Sequence, residues 1–219
     1  MPLPDVLRSL LAAQGTSGYE TEPASIWREA ASAFADVRVD DMGNSYATVK
    51  GTGDGLSLGI IGHVDEIGLI VTHIDEKGFL YFASVGGWDP QILVGQRVTL
   101  STRDGRIAGV IGKKPIHLIK PDEREKGTKL KELHIDIGAA DDEEAKGLVR
   151  IGDTAVITGE PVELLGERAI SRAMDNRLGA FIAYEAARLV AEAGGSPGDV
   201  VGVAAVQEEI GLNGARAAA

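Results

Sequence analysis

Leu56-Ser57-Leu58-Gly59-Ile60-Ile61-Gly62-His63-Val64-Asp65-Glu66 is the stretch on which the fold turns. Leu56 to Val64 is an almost wholly apolar run, the pattern of a strand in an α/β sheet covered on both faces. It ends in an imidazole and two acids, at the C-terminal strand end where such sheets carry their ligands. Toward the N-terminus, Asp5 to Ala13 reads as a helix with Val6, Leu7, Leu10 and Leu11 on one face, stopped by Gly15-Thr16-Ser17-Gly18. Thr21 to Ala35 carries a second helical pattern with Pro23 in its first turn, and Val37 to Val49 reads as two strands around Met42-Gly43-Asn44.

Toward the C-terminus the character changes at Ile67. Leu69 to Thr72, Phe79 to Ser84, Gln96 to Ser101, Arg106 to Ile111 and Asp153 to Ile157 are short strand patterns separated by glycine-bearing turns. This spacing predicts a small all-β barrel or sandwich. Lys120 to Lys131 reads as a solvated charged excursion and Asp141 to Lys146 as a short polar helix. After Glu160-Pro161 the α/β character returns, with an amphipathic helix over Asn176 to Ala193, a stop at Gly194-Gly195 and a buried strand over Val200 to Val206. The expected architecture is an α/β domain of residues 1–66 and 161–219, interrupted by an inserted β domain of residues 67–160.

Composition narrows the function. The 219 residues hold 33 acids against 22 Lys and Arg, a net charge of −11, so no basic face for nucleic acid or anionic membrane is expected. No apolar run approaches a membrane span and Met1 to Tyr19 lacks a secretory pattern, so a cytoplasmic location is expected. With no cysteine and four histidines, any metal must be held by His, Asp and Glu.

Three clusters bring such groups to strand ends or helix starts. In Gly62-His63-Val64-Asp65-Glu66, His63 and Asp65 point to the same side of a strand, so the carboxylate can orient the imidazole. In Arg172-Ala173-Met174-Asp175-Asn176-Arg177, Asp175 stands where a helix N-cap is expected and can also reach a metal. In Gln207-Glu208-Glu209-Ile210-Gly211 a bend after the strand can turn one glutamate to a metal and leave the other as a proton acceptor. His73, His117 and His134 lack a paired acid and read as surface or packing residues.

These clusters, with Val85-Gly86-Gly87-Trp88-Asp89, Gly112 to His117 and Asp136-Ile137-Gly138 between them, closely resemble the co-catalytic metallopeptidases of the tetrahedral (TET) and glutamyl aminopeptidase type. The resemblance spans essentially the whole chain. It implies a metallopeptidase-type mixed sheet with helices on both faces and an inserted β-barrel. It implies two divalent ions, zinc or cobalt, with His63 on one, Asp175 bridging and Glu209 on the other. Asp65 would orient His63 and Glu208 would act as general base on short peptides with a free N-terminus. The remaining aspartate and histidine ligands of the family lie downstream of the segment resembling Gln207 to Gly211. The resemblance therefore implies an N-terminal portion with its α/β domain incomplete, weakened metal affinity, little or no peptidase activity, and homo-oligomers in the full-length form. Two alternatives stand beside it: a non-catalytic interaction module, and a polysaccharide hydrolase of the kind labelled endoglucanase among relatives of this family. Scarce Trp and Tyr and the His63-Asp65 pairing weigh against the latter.

Overall fold

A computed structural model describes residues 3–121 and 126–219. They form two compact units: residues 1–66 with 159–219, and residues 67–158. The first opens with α1 (Asp5–Ala12) and α2 (Thr21–Ala31), followed by β1 (Asp36–Val39), β2 (Ser45–Val49) and β3 (Leu58–His63). The helical pattern expected through Ala35 ends at Ala31, four residues early, because β1 begins at Asp36.

The second unit holds β4 (Gly68–Ile74), β5 (Leu80–Val85), a single turn α3 (Pro90–Leu93) capped by Asp89, β6 (Arg97–Thr102), β7 (Gly105–Lys113), β8 (Leu133–Asp136), α4 (Asp142–Leu148) and β9 (Thr154–Ile157). Its six strands close into a barrel in the order β4-β5-β8-β7-β6-β9. Alternate side chains, Leu69, Val71, Leu80, Phe82, Val98, Leu100, Ile111 and Ile135 among them, fill the interior. Of the charged excursion expected from Lys120 to Lys131, residues 122–125 lie outside the described residues, and Lys120, Lys126, Lys129 and Lys131 are exposed.

The chain returns to the first unit with a hairpin, β10 (Val162–Leu164) and β11 (Arg168–Ile170), then α5 (Met174–Glu192), β12 (Val200–Ala205) and α6 (Asn213–Ala218). The sheet order is β1-β2-β12-β3, with β12 antiparallel to β2 and parallel to β3. Small residues bring α5 close to this sheet. A Cβ at Gly62 would stand 2.2 Å from the backbone of Gly179 and Ala180, and one at Gly202 would stand 2.8 Å from the Ala183 carbonyl. Ala180, Ala183 and Ala187 line the buried face of α5, and the Trp27 indole N–H donates to the Ala180 carbonyl at 2.9 Å.

One expectation is corrected. Leu56 to Val64 is not covered on both faces throughout: Leu58 is 55% and Ile61 49% exposed, and burial begins at Gly62. The cause is position, since β3 pairs only with β12 and stands at the sheet edge among the described residues.

Candidate metal centre

Because β3 and β12 run parallel, with His63 opposite Ala205, their C-terminal ends arrive side by side and the two acidic clusters that follow them meet. His63 is the last residue of β3 and is 6% exposed. Its Nδ1 faces Asp65 twice, at 3.2 Å from the backbone oxygen and 3.3 Å from Oδ1. Both partners are acceptors, so the proton belongs on Nδ1 and the lone pair on Nε2. Nε2 points to Asp175 Oδ1 at 3.3 Å and Glu208 Oε2 at 3.6 Å.

Asp175 reaches that position because α5 does not begin regularly. Asp175 and Asn176 leave the helical region, and the peptide between them is cis. Asn176 Oδ1 accepts from Gly179 N–H at 2.9 Å and so performs the capping assigned to Asp175 on sequence grounds. The Asp175 carboxylate, 87% exposed, is left to face His63. After β12 the chain turns at Gln207, whose φ is +54°, and the Gly211 and Leu212 amides close the turn on the Glu208 carbonyl. Glu209 N–H donates to Asp65 Oδ2 at 3.0 Å.

The result is a set of one ligand atom each from His63, Asp175 and Glu209, all within 4.8 Å of one another. Nitrogen and carboxylate donors without sulfur at this spacing suit a divalent cation. The electrostatics agree. Burial alone would lower the His63 pKa, but Asp65, Glu208 and Asp175 together raise it above the ordinary imidazole value. Burial raises the Glu209 carboxyl above its ordinary pKa; His63 works against this and Glu208, Asp175 and Asp65 work with it. Asp65 is held low despite its burial by His63, the Glu209 and Glu208 amides and Ser17. Four carboxylates around one imidazole leave a deficit of positive charge that a cation offsets.

A pH dependence follows from these directions. Protons compete with a cation for His63 Nε2 and for Glu209, and both pKa values are raised. Cobalt affinity should therefore keep rising with pH beyond about 6.5, where an ordinary imidazole has already lost its proton. Co2+ titrations from about pH 5.5 to about 8 read this directly, and affinity constant across that range would exclude His63 as a ligand.

Some residues with no signal in the sequence support the centre. Glu66 is 2% exposed and accepts from Gly15 N–H at 3.2 Å and from Arg177, while Arg172 Nε lies 2.9 Å from its other oxygen. Arg177, fully buried, also donates to the carbonyls of Leu10, Ala13 and Val64. In the barrel unit the His134 ring lies tilted against Phe79 at 4.5 Å, and the exposed His73 ring lies 6.0 Å from Tyr81.

The model of the M42 glutamyl aminopeptidase family matches residues 43–219. The chain belongs to this family. A lysyl aminopeptidase of Pyrococcus furiosus is 32% identical over 222 aligned residues, covering 98% of this chain and 62% of that protein. A crystal structure of a TET aminopeptidase from a marine sediment archaeon of the Thaumarchaeota superposes with a TM-score of 0.92 at 39% identity, over 96% of this chain and 60% of that one. The Pyrococcus horikoshii TET1 peptidase, which can assemble into a tetrahedron or a large octahedral shell, gives 0.88 at 35% identity over 98% and 64%. This M42 chain thus spans about three fifths of the length of these relatives. Membership of an aminopeptidase family favours neither the interaction-module nor the polysaccharide-hydrolase reading. Among the described residues no helix is long and apolar enough to cross a membrane.

Proposed function

We propose that this M42 chain carries the first part of a two-metal aminopeptidase site acting on short peptides with a free N-terminus. The observation that carries the proposal is the convergence of His63, Asp175 and Glu209 ligand atoms within 4.8 Å. In this reading His63 holds one divalent ion, zinc or cobalt, Glu209 the other, and Asp175 is shared. Bound there, the ions supply Lewis-acid polarisation of the scissile carbonyl and a lowered pKa for the attacking water.

The chain's own residues do the rest. Asp65 keeps the His63 proton on Nδ1 and so keeps the Nε2 lone pair turned toward Asp175. Glu208, one third exposed and 3.6 Å from His63 Nε2, is the general base: it takes the proton of the attacking water and returns it to the departing amine. The surrounding carboxylates attract the ammonium end of the peptide. Each ion would have the shared Asp175 and one further ligand here, fewer than the three protein ligands of catalytic zinc sites, so the reading includes weak metal affinity and low activity for these 219 residues. By its likeness to the TET1 peptidase, the full-length protein would form homo-oligomers.

Titration of the chain with Co2+ tests the site. Saturation at two ions per chain, reversal by EDTA and loss of the shared occupancy in Asp175→Asn support it. No saturable binding, or binding indifferent to Asp175→Asn, would sink it. Rapid metal-dependent cleavage of aminoacyl nitroanilides would show that the ligand set is larger than these three residues.

A further inference from the structure

Glu20 is a buried acid, 7% exposed, that the mechanism above does not use. It stands just before α2, 187 residues before Gln207 in the sequence, yet its Oε1 accepts from Gln207 N–H at 3.0 Å as well as from Gly18 N–H at 2.6 Å. Gln207 is where β12 gives way to the turn that bears Glu208 and Glu209, and it is one of the few non-glycine residues here with positive φ, at +54°. Two residues on, Asp65 Oδ2 accepts from Glu209 N–H at 3.0 Å. The segment Gln207-Glu208-Glu209 is therefore held at both ends by buried carboxylates, one from the loop before α2 and one from the loop after β3.

The geometry points to Glu20 as a positioning residue that fixes the direction in which Glu208 and Glu209 leave β12, by anchoring the left-handed Gln207. This rests on the two-metal reading above for its consequence, but not for the contact itself. A left-handed conformation at a residue with a Cβ is disfavoured unless something over-determines it, and a charge-assisted hydrogen bond to its own amide does so. The anchor is itself immobilised, since the same oxygen holds Gly18 and the side chain is enclosed. Burial, with Asp65 nearby, pushes the Glu20 carboxyl above its ordinary pKa, so an acid at this place works against its own ionisation. That is poor design for stability alone and consistent with a demand for an oxygen acceptor at this point. Asn44, also fully buried, holds the neighbouring Val206 N–H at 3.0 Å, so the backbone entering the turn is fixed by side chains on both sides of Gln207.

The test compares Glu20→Gln and Glu20→Ala in the 219-residue chain, with Co2+ as the probe. Glutamine keeps an oxygen for both amides. Its Co2+ affinity should stay within about twofold of the parent, with the same visible absorption band for the bound ion. Alanine removes the acceptor, and affinity should fall at least about tenfold with a shifted band. Leu100→Ala, a cavity in the barrel core, serves as the control for lost stability: it should lower the melting temperature and leave Co2+ affinity unchanged. Hydrogen exchange reads the contact without any metal. Protection of the Gln207 and Glu209 amides should drop at least about tenfold in Glu20→Ala and persist in Glu20→Gln. Unchanged protection in Glu20→Ala overturns the proposal, as does Co2+ binding in that variant equal to the parent. If the parent binds no Co2+ but protection falls as expected, the two-metal reading fails and the positioning role stands.

Discussion

Replacing Arg177 by methionine is expected to destabilise the helix-and-sheet unit by about 3–5 kcal/mol. The side chain is fully buried, so methionine can fill much of its volume, and the loss is one of pairing rather than packing. Four partners are abandoned: the Val64 carbonyl at 2.9 Å, the Leu10 carbonyl at 2.8 Å, the Ala13 carbonyl, and Glu66 Oε1 at 2.9 Å. Glu66 keeps Arg172 and the Gly15 amide, and the Ala13 carbonyl keeps Arg172, which limits the damage but does not restore the Leu10 and Val64 carbonyls. Adding Glu66→Leu should not recover the loss, because it also unpairs Arg172 and the Gly15 amide, unlike isolated buried pairs whose apolar replacement is neutral. Trp27 fluorescence in a Trp88→Phe background isolates this unit in urea titrations. A loss under about 1 kcal/mol would show that the network is dispensable.

That network also marks the boundary between what was legible in the sequence and what was not. The nearness of His63 and Asp65, though β3 ends at His63 and Asp65 stands in the loop after it, and the placing of Glu208 and Glu209 after the neighbouring strand are local properties of short sequence separation and strand ends. They could be read directly. The barrel strands were legible for the same reason, since apolar alternation and glycine turns survive in sequence. Leu133–Asp136 and the hairpin Val162–Leu164 with Arg168–Ile170 carry no such trace as separate strands. The first is only four residues long. The second is mostly exposed, so neither of its faces is selected for burial.

Arg177, Glu20 and Asn44 were invisible for a further reason. Each acts on backbone groups more than a hundred residues away, and no spacing rule encodes that. At Asp175 the capping expected from the sequence falls instead to its neighbour. The cap signal before a helix is satisfied by either Asp175 or Asn176, and only the local backbone decides between them. The exposed start of β3 is the converse case. Its apolar run reads as a buried strand, whereas its place at the sheet edge depends on which strands pair with it.

Asp65→Asn should weaken Co2+ binding by about 10- to 100-fold while leaving the fold intact. The substitution is nearly isosteric, so the effect arises from hydrogen-bond polarity. Asp65 is fully buried, with Oδ2 taking the Glu209 amide at 3.0 Å and Oδ1 facing His63 Nδ1 at 3.3 Å. Asparagine offers one oxygen and one NH2 in those two places. If the NH2 faces His63, it favours the tautomer with the lone pair on Nδ1 and the proton on Nε2, which blocks the atom that faces Asp175. If the NH2 instead faces Glu209, two donors oppose each other and the turn carrying Glu208 and Glu209 loses an anchor. Either orientation damages a ligand, by tautomer in the first case and by position in the second. NMR of the His63 ring nitrogens separates them, since only the first changes which nitrogen is protonated. Co2+ affinity unchanged from the parent, with the Nδ1–H tautomer retained, would mean that Asp65 neither orients His63 nor holds Glu209.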